Sequence, residues 1–324
     1  MMKKPSFIAE QRRLQGAWFE RNVESHRGFE GALYRLPPDT WSLNLAPGLR
    51  ETADLLFAGE PPIQWHRHAG HGLSSQACCV NFLLPFAEQP ELLRRWVEHV
   101  TRDRVKQMLP IEPNRSGRSW FVTFEWIGET DYLNEEKGKL RRKRGANATA
   151  ADAAVLFRDG EDRTQLLLIE WKYTERYGQP LDEGGNATRR ERYQDIFRQP
   201  NGPIRENADV SLEDFFYEPF YQLLRQQMLA WHTQHKDHGI NRARVLHLSP
   251  RGNRALHAVT SPNLATNGGD AFEVFHSLLA DRTDFIPMWI EDAFAPLADW
   301  PEADWYAGLR QRYSALFSAG EGFG

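Results

Sequence analysis

Cysteine is nearly absent: the 324 residues hold two, Cys78 and Cys79, side by side. Neighbours in the chain do not make the spaced bridges of a disulfide framework, and the context Ala77-Cys78-Cys79-Val80-Asn81-Phe82 suits buried, reduced thiols. Missing too is any run of about 18 apolar residues, so no membrane-spanning helix is expected. The opening Met1-Met2-Lys3-Lys4-Pro5-Ser6-Phe7 carries charge but no apolar signal core, and the chain is read as cytoplasmic. There is no internal repeat and no low-complexity tract, which argues against a solenoid or a long disordered linker. Nor is there an excess of positive charge, since 40 Lys and Arg stand against 44 Asp and Glu, a formal net charge of −4. Attraction to a polyanion must then come from where the cations sit, not from their sum.

What the chain does have is enough apolar material, 41% of its residues, to bury a substantial core. Its cations are also segregated. Lys137-Gly138-Lys139-Leu140-Arg141-Arg142-Lys143-Arg144 holds six, and smaller groups lie at Arg189-Arg190-Glu191-Arg192 and Arg251-Gly252-Asn253-Arg254. Either they are solvated loops, or Lys139, Arg141, Arg142, Lys143, Arg144, Arg189, Arg190 and Arg192 form a rim that grips phosphates.

Hydrophobic spacing predicts helices over residues 9–23 and 90–108, interrupted by loops rich in Pro and Gly. The period then changes. Residues 120–127 are aromatic and β-branched, and residues 151–158 and 165–173 read as two strands joined through Asp159-Gly160-Glu161-Asp162, a natural antiparallel hairpin. After a polar stretch, 175–209, a helix beginning near Phe220 and a strand over 244–249 complete a mixed sheet flanked by helices. Amphipathic helices are expected over 272–279 and 305–317. The expected division is a mostly helical N-terminal extension (1–112), an α/β core (113–260) and a C-terminal helical elaboration (261–324).

The strand Leu166-Leu167-Leu168-Ile169-Glu170-Trp171-Lys172-Tyr173 poses the chemical question. So apolar a run is covered on both faces, where an unpaired charge costs on the order of several kcal/mol. Alternation puts Glu170 and Lys172 on one face and Ile169, Trp171 and Tyr173 on the other. Asp152 lies 18 residues upstream, across the expected hairpin, so both acids can reach one cation. Mg²⁺ or Mn²⁺ held by Asp152, Glu170 and the Trp171 backbone carbonyl would relieve the repulsion of the acids, with Lys172 beside the attacking water. These are the requirements of phosphodiester hydrolysis: in-line attack by water and neutralisation of the phosphate oxygens.

An acid followed on the next strand by acid-x-Lys resembles the PD-(D/E)XK phosphodiesterase superfamily, with its restriction-endonuclease-like fold. Asp152, Glu170 and Lys172 match its pattern, and Ala151 stands where the proline of the family name would be. The resemblance covers roughly residues 120 to 250 and looks like an uncharacterised bacterial branch. It implies a metal-dependent nuclease, with DNA favoured over RNA as the substrate class, and a homodimer fits because many double-strand cutters need two active sites.

A second acid-x-Lys at Glu135-Glu136-Lys137 lies in a polar stretch and reads as a solvated loop. Gln222 and Gln226, one helical turn apart with Arg225 adjacent, are either auxiliary residues near the phosphate or polar residues on a solvated face. Glu125 or Glu129 could add a carboxylate, with Glu129 favoured. His66, His68 and His71, or His232, His235 and His238, make unconvincing zinc sets. Two rival readings remain: a nuclease-like protein that binds nucleic acid without cutting it, and an interaction protein in which Glu170 and Lys172 are only a buried bridge.

Overall fold

Helix formation begins at Ser6, whose hydroxyl accepts the Ala9 N–H and opens α1 (Phe7–Asn22). The computed structural model describes residues 5–59, 61–112, 118–136, 142–144, 148–177 and 180–317. Next come α2 (Arg50–Phe57) and α3 (Ser75–Leu83), the latter capped by Ser74, and Cys78 and Cys79 are buried in α3 as free thiols. Helix α4 (Pro90–Thr101) starts on a proline, where no N–H is needed, and stops at Arg102, which takes the left-handed conformation at φ 63°. The spacing predicts helix as far as Met108, but this cap ends it early and Val105–Leu109 forms strand β1.

Strand β2 (Thr123–Trp126) precedes the hairpin of β3 (Ala151–Asp159) and β4 (Thr164–Trp171), which pair antiparallel with Ala153 opposite Ile169. The Asp159 carboxylate closes the turn by accepting the N–H groups of Glu161 and Arg163 at 2.9 and 3.0 Å. The polar stretch after β4 contains a helix that apolar spacing did not reveal, α5 (Asn186–Phe197), which buries only Tyr193, Ile196 and Phe197. Helix α6 (Phe220–Lys236) then crosses over the sheet to β5 (Arg242–Ser249), parallel to β4, and α7 (Ala271–Leu278) leads to β6 (Phe285–Trp289), parallel to β5. Helices α8 (Ile290–Phe294), α9 (Trp305–Arg312) and α10 (Ser314–Phe317) finish the described chain.

The six-stranded sheet has the order β1-β3-β4-β5-β6, with β2 pairing the first half of β3 and β1 its second half. One face, including Val155, Ile169, Trp171 and Leu246, packs on α2, α3, α4 and the C-terminal helices. The other, including Ala154, Leu168 and Val245, packs on α5, α6 and α7. The result is three layers with two cores, one on each side of the sheet. The sheet runs across both boundaries expected from the sequence, since β1 precedes residue 113 and β6 follows residue 260. No helix among the described residues is long and apolar enough to cross a membrane.

Arg312 ties the two ends of the chain together. Its buried guanidinium donates to Gln15 Oε1 at 3.1 Å, to the Asn44 backbone oxygen at 2.6 Å and to Asn44 Oδ1, and it lies 4.2 Å over the Trp18 ring. Arg312→Ala would orphan several buried acceptors and is expected to cost about 3 kcal/mol. Thermal melting checks this: a fall in midpoint of roughly 5 °C is expected for a chain of this size, and an unchanged midpoint would mean that this network carries no stability.

Candidate active site

The even-numbered residues of β4 face α6. Glu170 and Lys172 therefore share that face, while Trp171 and Tyr173 pack into the opposite core. Lys172 Nζ lies 2.5 Å from Glu170 Oε1, and both side chains are almost fully buried. At the start of β3, Asp152 turns toward the same strand and its Oδ2 accepts the Trp171 N–H at 2.7 Å. Asp152, Glu170, Trp171 and Lys172 thus line one cleft of about 750 Å³.

The electrostatics follow from burial. Desolvation and the neighbouring Glu170 charge push the Asp152 carboxyl well above its ordinary range, against the pull of Lys172. Burial likewise raises Glu170, with Lys172 opposing. Desolvation would lower Lys172, but the charges of Glu170, Tyr177, Asp152 and Glu175 win and hold it well above the ordinary lysine range. The cleft floor is a set of crowded acids around one ammonium.

Helix α6 supplies the next layer. Gln226 is buried, not solvated, and its Nε2 donates to Glu170 Oε2 at 2.8 Å and to the Ala150 backbone oxygen at 2.6 Å, while its Oε1 has no partner among the described residues. Gln222 also lines the cleft and accepts the Tyr177 hydroxyl at 3.2 Å. Between them, Arg225 is committed to protein partners, Thr149 Oγ1 at 2.8 Å and Glu135 Oε1 at 3.1 Å.

Glu135 corrects the expectation of a solvated loop. It is buried and accepts the Thr149 N–H at 2.6 Å, the Thr149 hydroxyl at 2.5 Å and the Tyr193 hydroxyl at 3.1 Å, clamping the chain just ahead of Asp152. Lys137, which completes that second acid-x-Lys, lies outside the described residues.

Of the two further carboxylates expected, Glu125 lines the cleft, as does Glu175, whereas Glu129 is exposed and away from the lining. Glu125 stands in β2 near Asp152, at a positive φ of 50°, and its Oε1 accepts Gln76 Nε2 at 2.8 Å and lies 3.2 Å from His66 Nε2. That hydrogen bond and charge raise His66 from its ordinary value, although burial opposes it. Its signal in the sequence was the one that marks Glu170: a lone acid in an apolar, aromatic strand.

Sequence reasoning missed the opposite wall. It is built by Ile8 and Arg12 of α1, the loop carrying His66, His68 and His71, and the start of α3. The loop lies tight against α1: a Cβ at Gly72 would come within 2.8 Å of Gln15 Cβ and 3.2 Å of the Tyr34 backbone oxygen. Burial and the positive charges of Arg35, His68 and Arg12 lower His71 to about 4. Among the described residues no group of three or more His, Cys, Asp or Glu is assembled to hold a metal ion; His66 pairs with Glu125, and His235 stacks on Trp231.

The expected phosphate rim is placed differently. Lys139 and Arg141 lie outside the described residues. Arg144 is a correction: its guanidinium is buried against Glu112 at 2.6 Å and donates to the Phe124 backbone oxygen, so it faces protein. Arg142 donates to the Ile127 backbone oxygen at 2.6 Å, Arg189 to that of Asp182 at 2.6 Å and Arg192 to that of Glu135 at 3.4 Å, while Arg190 pairs with Glu213 at 2.5 Å. Lys143 is exposed, and none of these described residues lines the cleft. Its cations are Arg12, Lys172, Arg176 and Arg225.

Neither a curated protein nor a solved structure gives a match to the chain. A family model described as a restriction endonuclease associating with ARP matches residues 12–314, so the match runs from within α1 through the sheet and the cleft to the end of α9. The chain belongs to that restriction-endonuclease family and has the restriction-endonuclease-like fold of the PD-(D/E)XK superfamily.

Proposed function

We propose that this protein is a Mg²⁺- or Mn²⁺-dependent nuclease that hydrolyses phosphodiester bonds in DNA, with Asp152, Glu170 and Lys172 as its reacting set. The observation that carries this reading is their convergence on one cleft, with Gln226 holding Glu170 from behind. The donor set fits a hard divalent cation. It offers carboxylate and carbonyl oxygens, the preferred ligands of such ions, and a buried Gln226 Oε1 without a partner. Crowding that raises both acids is also what a cation between them would relieve.

Asp152, Glu170 and the Trp171 carbonyl would hold the ion, and Glu125 adds negative charge to the same cleft. When bound, it supplies a positive centre that neutralises phosphate oxygens and polarises a water at neutral pH. Lys172, fixed at 2.5 Å from Glu170 and held as an ammonium, donates toward a non-bridging oxygen or the attacking water and offsets the charge that builds at phosphorus. Arg12 and Arg176, at the edges of the cleft, are available to the flanking phosphates. One acid-x-Lys site cuts one strand, so cleavage of both strands calls for two copies of the chain. The family description adds a partner protein, ARP, and a DNA substrate accords with a place in the cytoplasm.

Two outcomes are expected. Lys172→Met retains the stem but not the charge, and it should lower metal-dependent DNA cleavage by about 10²- to 10⁴-fold with the fold intact by thermal melting. Wild-type protein that binds DNA but does not cleave it with Mg²⁺ or Mn²⁺ would replace this reading with that of a binding module. The second outcome concerns pH. Because the folded pKa of Asp152 is raised, the native state binds more protons than the unfolded chain above the ordinary aspartate value, and stability falls as pH rises through that window. Asp152→Asn should therefore melt higher than wild type in EDTA at alkaline pH, the gap closing toward pH ~4. Mg²⁺ should stabilise the wild type more than the variant, and equal stabilisation of both would remove Asp152 from the ion site.

A further inference from the structure

Beside the cleft lies a second recess of about 270 Å³, and His66, His68 and His71 line both. Its remaining wall is aromatic and basic. Phe29, Trp41 and Trp65 are each half-buried, with Trp65 stacked on Phe57 at 3.9 Å between ring centroids and tilted against Trp41 at 4.6 Å. Arg35 lies 5.5 Å over the Phe29 ring, and exposed Arg67 donates to His68 Nε2 at 2.8 Å. Among the described residues no carboxylate lines this recess, Glu30 pairing with Arg35 from outside the lining and leaving Arg67 as its free cation edge, whereas the cleft next to it is floored by Asp152, Glu170 and Glu125. Polarity therefore changes abruptly across three histidines, from acids suited to a cation and a phosphate to aromatic rings edged by arginines.

From this juxtaposition we infer that the recess takes an unstacked nucleobase next to the scissile phosphate, so that the substrate is an unpaired DNA strand. The inference rests on the nuclease reading and narrows its substrate. Base stacking on aromatic side chains tolerates any sequence because every base has a π-face, and guanidinium groups add to it. The recess falls near the ~300 Å³ lower end of small-ligand pockets, a size for one flat heteroaromatic ring and not for a duplex. A base within a duplex is already paired and stacked on both faces, so it cannot reach such a recess without leaving the helix. Continuity supplies the second argument: with a phosphate at the cation that the acids would hold, the same strand continues past His66 and His68 to the rings. Charge supplies the third, since exposed Arg67 edges a wall free of acids.

The test measures binding apart from cleavage. Lys172→Met protein is titrated in Ca²⁺ against a short fluorescein-labelled single-stranded oligodeoxynucleotide and against its blunt duplex, with anisotropy as the readout. The single strand should bind about tenfold tighter, and Trp41→Leu and Arg67→Ala should each weaken it several-fold while leaving duplex binding unchanged. Arg67 is exposed, so its replacement does not disturb the core even if that of Trp41 does. A 2-aminopurine placed beside the cleavage position should be quenched on binding, and less so in Trp41→Leu. Equal affinity for strand and duplex, no binding of the single strand, or indifference to Arg67→Ala would each overturn the inference. Wild-type cleavage is read separately. A single-strand preference without metal-dependent cleavage would end the nuclease reading but leave the recess standing, and duplex cleavage without that preference would do the reverse.

Discussion

Carboxylates withdrawn from water around a single ammonium set the terms for the rest of this structure. Two like charges about 4 Å apart repel by ~4 kcal/mol at an effective dielectric near 20, and burial adds to the penalty. Asp152 and Glu170 feel both effects, with Lys172 as the compensating charge on the floor of the cleft. Such an arrangement persists only where its surroundings hold every member in place. Here the restraints are backbone and amide groups: the Trp171 N–H on Asp152 and the Gln226 amide on Glu170.

Buried polar contacts behind these groups hold them in place in turn. Glu135 binds Thr149 through both its N–H and its hydroxyl, Arg225 joins them from α6, and Gln226 reaches the Ala150 backbone oxygen from the same helix. The entry to β3 is thus fixed to α6, and Asp152 is aimed at β4 as a consequence. Neutral and paired groups dominate these contacts, so they add little net charge to a floor that already has too much of one sign. Arg225 illustrates the economy of that choice, since a cation beside the acids is spent on orientation and kept from competing for them.

The sheet and the meeting of Asp152, Glu170 and Lys172 in one cleft were legible because strand alternation is a strong signal. Leu166 to Tyr173 announced a covered strand, and Glu170 with Lys172 broke its pattern on one face only. The same logic was available for Glu125 in its aromatic strand, but Glu129, beyond the strand end, was preferred, and the left-handed backbone that turns Glu125 toward the cleft leaves no mark in composition. Glu135 was misread because local polarity reports exposure only when nothing distant covers the segment, and Tyr193 and Arg225 cover it from elements more than fifty residues away. Arg144 in the basic run turns inward for a related reason: a guanidinium can satisfy carbonyl oxygens of its own chain as readily as phosphates, as Arg144 does with Phe124. Strand β6 and helix α5 escaped because one is short and the other buries few residues.

The N-terminal segment, which reads as an appendage, supplies half of the cleft. Arg312 fastens α1 and the Asn44 turn to the C-terminal helices, and Gly72 allows the histidine loop to lie against α1. The acids set on the sheet thereby meet a wall that the sheet does not provide. In a fold whose strands hold the acids, a wall built by other elements can vary without disturbing the floor. Physical continuity between α1, the histidine loop and the aromatic recess makes the wall of the cleft and the recess beside it one piece, fastened to the C-terminal helices through Arg312.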